Sequence, residues 1–208
     1  MTAAKKPPRY ARKQPAVRRR QLIEAAIRCL AEGGMSAFTI DRICREAGVS
    51  RGLINHHFES KNALLVAAYE AMTEYLAEAS RAGMAEAGAD PVKRLNAMIA
   101  ASFVQDAFVK SQLRAWLAVW GEISANRQLL ALHRKRYDQY SEGLTSAISA
   151  IAKQRKRKVD AKGLARMLIA LIDGLWLEWC LDSSALSSRS ARAACYDLIE
   201  PHLGPIDR

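Results

Sequence analysis

No stretch of the 208 residues offers the ~20 consecutive apolar positions that a membrane-spanning helix needs. The longest, around Met167–Leu177, is interrupted by Asp173 and Gly174. A basic N-terminal stretch is present, but no apolar segment and small-residue cleavage site follow it, which argues against a secretory signal. Cysteine is scarce: Cys29, Cys44, Cys180 and Cys195 stand far apart, with no CxxC pair and no paired histidine spacing. That pattern argues against zinc, and without an export signal reduced thiols and a cytoplasmic location are expected. Catalytic sets are missing too. No Ser-His-Asp arrangement, glycine-rich phosphate loop or pair of catalytic carboxylates can be assigned, so neither an enzyme nor a cofactor is expected.

Acidic residues are absent from the first twenty positions, which hold eight cations: Lys5, Lys6, Arg9, Arg12, Lys13, Arg18, Arg19 and Arg20. Of the net charge of +11, residues 1–61 carry +8, from 13 basic and 5 acidic residues. A bias of that kind favours a polyanionic partner, and a basic arm over residues 1–17 can order on a phosphate backbone. The remaining composition, 50% hydrophobic and 25% charged, is ample for a buried core.

Alternating strand patterns are absent and helical periodicity dominates. Leu22, Ile23, Ala26, Ile27 and Leu30 share one face of a helix from about Arg18, stopped by Gly33-Gly34. Thr39, Ser50 and Ser60 sit at N-cap positions of successive helices, the last expected to run to about Ala79 before a Gly/Ala-rich break over Arg81–Asp90. Asp90-Pro91 restarts a helix to about Val109, and further helices are expected over 110–124, 127–152, 160–181 and 188–203. The cationic KQRKRK run at 153–158 reads as a solvated connector. The expected fold is all-α with about nine helices: a three-helix DNA-binding domain over 18–64, then a larger effector and dimerisation domain over 65–208.

The segment Thr39–Phe58, TIDRICREAGVSRGLINHHF, carries two short helices joined at Gly48, with apolar residues placed to lock their angle. This is the pattern of a helix-turn-helix, whose second helix enters the major groove. Its exposed positions would be Arg51, Gly52, Asn55, His56 and His57; Arg and Asn can read guanine and adenine edges bidentately. The adjacent histidines point about 100° apart on a helix, so they cannot share a metal ion as an i, i+4 pair could.

Residues 18–64, through RRRQLIEAA, TIDRICREAGVSRGLINHHF and SKNALL, resemble the DNA-binding domain of the TetR family of repressors. RAWLAVW at 114–120 and LIALIDGLWL at 168–177 resemble the C-terminal domain of the BetI type, which responds to choline. The resemblance implies that Thr39, Ser50, His57 and Lys61, with Arg18 and Arg19 nearby, hold phosphates. Arg51, Gly52, Asn55 and His56 would face bases. It further implies a homodimer on a pseudo-palindromic operator, and no membrane partner.

All four tryptophans lie in the second half, Trp116 and Trp120 at i, i+4 and Trp176 and Trp179 at i, i+3. Asp173 stands one turn before Trp176 in an otherwise apolar helix, where a lone carboxylate is costly and needs a cation. Arg114 or Arg166 can supply it, or a quaternary ammonium ligand of choline type held by cation–π contacts. Candidate ligand residues are therefore Trp116, Trp120, Asp173, Trp176, Glu122 and Phe103.

Overall fold

The computed structural model describes residues 14–103, 110–182 and 184–206, and among these every regular element is an α-helix. The arm cations up to Lys13 and the segment 104–109 lie outside the described residues. Helix α1 (Pro15–Ala37) opens on a proline in its first turn, so residues 15–17 are helical rather than part of the arm. Its apolar face, including Leu22, Ala26, Cys29 and Leu30, is buried. At Gly33-Gly34 the helix breaks, as the glycine pair predicts: Gly34 takes φ +63°, ψ −153°, a conformation that strains residues bearing a Cβ.

Thr39 accepts a hydrogen bond from the Arg42 N–H and caps α2 (Ile40–Ala47), which ends on Gly48 in the left-handed conformation. Ser50 occupies the cap position of α3 (Arg51–His57), yet its hydroxyl makes no capping bond. Arg28–Glu46 and Arg42–Glu32 ion pairs, at 2.6 and 2.7 Å, hold α2 against α1, while Ile43, Ile54 and Phe58 fill the space between helices. Ser60 caps α4 (Lys61–Ala87). This helix runs through the expected break at Arg81, because the helix formers Ala82, Met84, Ala85, Glu86 and Ala87 outweigh Gly83, and Gly88 ends it.

Asp90 caps α5 (Pro91–Ser102), followed by α6 (Lys110–Ile123), α7 (Arg127–Gln154), α8 (Ala161–Leu181) and α9 (Ser188–Leu203). Helices α4, α5, α7 and α8 form successive neighbours, α9 lies on α8, and α6 packs against α1 on one side and α8 on the other. The KQRKRK run is largely exposed, as expected of a solvated connector, but two of its cations are anchored. Arg155 donates to the carbonyls of Leu203 and Pro205 at 2.9 and 2.7 Å, and Arg157 reaches those of Pro201 and His202. The carbonyls at the end of α9 lack helical partners and carry partial negative charge, so two guanidiniums, one half-buried and one exposed, are held there.

Candidate functional site

Two regions carry the candidate residues. The first is the exposed side of α2 and α3. Pro15, Arg18, Arg45, Gly48, Ser50, Leu53, His56 and His57 line a shallow concavity there. Arg51, Gly52, Asn55 and His56 are all exposed on the outer face of α3. Arg51 is not free: its guanidinium is paired bidentately with Asp41 on α2. Burial, His56, Arg19 and Arg18 together depress the pKa of His57 below its ordinary value. Arg19 lies 5.0 Å over the Phe58 ring, and Lys61, in the first turn of α4, lies 5.8 Å from the Phe38 ring centre. These stacked stems fix where both charges stand. The unused Ser50 hydroxyl and the Thr39 hydroxyl stand at the starts of α3 and α2, where backbone N–H groups also point outward.

The second region is a cavity of about 410 Å³ bounded by α4, α5, α6, α7 and α8. Three indoles from two helices meet in it. Trp116 and Trp176 stand edge to face at 5.4 Å, Trp120 and Trp176 are near-parallel at 6.3 Å, and Trp116 and Trp120 are 6.1 Å apart. Tyr69, behind the wall, meets Trp116 edge to face at 5.7 Å and hydrogen-bonds His133 Nδ1 at 2.9 Å. The Trp176 N–H donates to the Ser102 carbonyl at 2.9 Å, which fixes the ring that the other two face.

Asp173 lies at this aromatic wall. Tyr137 donates its hydroxyl to the two carboxylate oxygens at 3.1 and 3.2 Å. Among the described residues no lysine or arginine forms an ion pair with Asp173; Arg114 and Arg166 are exposed elsewhere. Burial therefore raises its pKa to about 6, with the Tyr137 hydrogen bond opposing that shift. A half-buried carboxylate that shares a cavity lining with three indoles, and has a hydroxyl as its partner, has the chemistry to attract a cation.

Residues 91–204 match the family described as the BetI-type transcriptional repressor C-terminal domain, and residues 22–68 match the bacterial regulatory proteins of the tetR family. The chain belongs to the TetR family, in its BetI type. This regulator is 35% identical to the HTH-type transcriptional regulator BetI of Serratia proteamaculans over 88% of its own length and 91% of that protein's. It is 33% identical to BetI of Rhizobium meliloti, covering 90% of each chain. Among solved structures, a transcriptional regulator from Pseudomonas aeruginosa PAO1 superposes with a TM-score of 0.83 at 34% identity, over 93% of this chain and 94% of that one. One from Saccharomonospora viridis, in complex with choline, gives 0.79 at 27% identity, over 93% and 100%. TetR regulators bind operator DNA as dimers and answer to small-molecule effectors; they are not enzymes.

Two expected ligand residues stand apart from the cavity of this regulator. Glu122, half-buried near the end of α6, is not among the lining residues. Phe103 is buried beyond the wall, its carbonyl accepting from the Ser188 hydroxyl. Trp179 is half-buried outside the cavity: it and Asp173 flank Trp176 on opposite sides, about 120° apart around α8, and the cavity lies on the Asp173 side. Tyr137, Arg136 and Glu74, by contrast, were not singled out by the sequence and all line it. A signal existed: on α7, Leu129, His133, Tyr137, Tyr140 and Leu144 follow a helical stripe, and polar aromatics in a core stripe mark a lined space.

Proposed function

We propose that this regulator represses transcription as a cytoplasmic homodimer and releases its operator when a quaternary ammonium compound of choline type enters the indole cavity. The observation that carries the reading is Asp173, half-buried in the same cavity lining as Trp116, Trp120 and Trp176, with Tyr137 as its hydrogen-bond donor. The choline complex of the Saccharomonospora viridis protein supports the same ligand class. In this reading residues 18–64 act as the reading head. Arg51, Gly52, Asn55 and His56 face bases, and Thr39, Ser50, His57, Lys61, Arg18 and Arg19 position phosphates. Arg51 would exchange Asp41 for a base edge on binding.

The dimer face follows from α8. Met167, Ala170, Gly174, Leu177 and Leu181 are exposed and follow one another at intervals of three and four residues, the seam along which helices pair. Against its two-fold mate this seam, with α9, gives a four-helix bundle.

Coupling has two routes. Trp116 and Trp120 belong to α6, which rests on α1 of the reading head, and α4 runs from Lys61 to the cavity wall at Thr73–Met84. A ligand that draws the indoles together shifts both supports, and it can change DNA affinity only by binding one arrangement more tightly than the other. The test is a fluorescence titration with choline and with 3,3-dimethylbutanol, which replaces the quaternary nitrogen by carbon. Choline is expected to quench saturably and release operator DNA, with the neutral isostere at least about tenfold weaker, since each lost cation–π contact costs ~0.5–2 kcal/mol. Equal binding of the two, or no binding of either at millimolar concentration, refutes the cation reading.

A further inference from the structure

The cavity has a second charged end that choline does not use. Moving outward from the buried Trp176, side-chain exposure rises from Arg136 at 19% to Glu74 at 37% and Arg81 at 54%. Glu74 is shared by both guanidiniums, at 2.6 Å from Arg81 and 2.8 Å from Arg136. Its pKa is held below the ordinary value by Arg81 first and Arg136 next, so it is ionised. Within the lining two cations meet one carboxylate, Glu74; the exposed Glu70, outside the lining, also pairs with Arg136, at 3.8 Å.

A second observation is independent of that count. The Nε–H of Arg136 is buried and makes no hydrogen bond. A guanidinium donor shut away from water calls for an acceptor, and a carboxylate or phosphate oxygen is the acceptor it matches. The two ends are set apart by helix geometry. Arg136 and Tyr137 are neighbours on α7 and point about 100° apart, so Arg136 turns to Glu74 on α4 while Tyr137 turns to Asp173 on α8.

Size and charge agree. The four ionised groups of the lining, Asp173, Glu74, Arg81 and Arg136, sum to zero, so a ligand carrying both charges leaves the cavity neutral. The volume of about 410 Å³ leaves room for a ligand larger than choline, which has seven non-hydrogen atoms.

We propose that the preferred effector is an inner salt: a quaternary ammonium seated among the indoles, joined to a carboxylate or phosphate that accepts from Arg136 and Arg81. This rests on the cation reading of the aromatic end, and it makes Arg136 the residue that separates such compounds from choline. The experiment is calorimetric titration of the full-length protein with choline, carnitine and phosphocholine; the last two distinguish a carboxylate from a phosphate. At least one inner salt is expected to bind about tenfold or more tightly than choline, as an added charge-assisted pair provides. Arg136→Met should erase that advantage and leave choline affinity within about twofold, and Arg136→Lys should keep part of it. Should Arg136→Met unfold, Arg136→Lys and Arg81→Gln carry the comparison. Choline binding without any preference for the inner salts overturns the proposal and leaves the cation reading standing, as does an equal loss for all three ligands in Arg136→Met. No binding of any trimethylammonium compound overturns both.

Discussion

With Asp173 as the proposed partner of the effector's cation, binding is expected to depend on pH with a calculable slope. In the empty cavity burial raises its pKa to about 6, and a bound cation favours the ionised form, so the pKa falls on binding. Near pH 7.5 the group is ionised with or without ligand, and affinity is flat. Below about 6 the free protein must lose a proton to bind. At pH 5 only about one carboxylate in eleven is ionised, so choline affinity should be about tenfold weaker, close to 1.4 kcal/mol. His133 contributes as well: burial holds its pKa below the ordinary value, and its positive form near Tyr137 opposes a cation at low pH. Asp173→Asn separates the two, because its remaining slope belongs to His133 alone. At pH 7.5 that variant should lose roughly 3 kcal/mol, on the order of a hundredfold, from a charge pair ~5 Å apart at an effective dielectric near 20. Tryptophan fluorescence titrations at both pH values measure all four affinities. A wild-type affinity unchanged between them, or an equally steep slope in Asp173→Asn, refutes the argument that this carboxylate recognises the ligand.

Three further outcomes are expected. Arg51→Ala or Asn55→Ala should weaken operator binding by ~1–3 kcal/mol and relax base preference, whereas Lys61→Ala should weaken all sequences alike and flatten the salt dependence, as read by gel shift across a salt series. Arg155→Met removes two hydrogen bonds to the carbonyls of Leu203 and Pro205 and should destabilise the fold by about 1–3 kcal/mol in thermal unfolding, with operator affinity at 25 °C preserved. Leu177→Glu with Leu181→Lys, placing charge in the exposed α8 seam, should yield a 23.0 kDa species in sedimentation where the wild type gives twice that mass.

The helices were legible in the sequence because their ends are written in local chemistry. Thr39, Ser60, Asp90 and Asp160 each cap through their own side chains, and Gly48 supplies the left-handed turn, so neighbours a few residues apart settle the outcome. Ser50 shows the limit: its cap position was readable, but not that its hydroxyl stays unused. The trio Trp116, Trp120 and Trp176 was suggested by spacing within each helix, whereas its closure depends on how α6 and α8 cross. For the same reason Tyr137 was missed as the partner of Asp173, 36 residues away. Glu122 shares a helix with the two indoles, yet its rotation about α6 takes it off the cavity face. Arg155 and Arg157 looked solvated because their acceptors belong to a helix end more than 40 residues further on.

The seat of α1 on α6 has a consequence for engineering. Consider a chimera in which the reading head is spliced to a foreign sensor at the start of α4. Here such a splice removes the surface on which α1 lies, where Gly34 faces Ala118 and the groove between α1 and α4 is closed by Trp116. A transplanted head would meet a stranger's sixth helix with mismatched contours. The portable unit is instead the head together with α6, two stretches distant in the chain and adjacent in space, and shuffling that respects only sequence order would separate them.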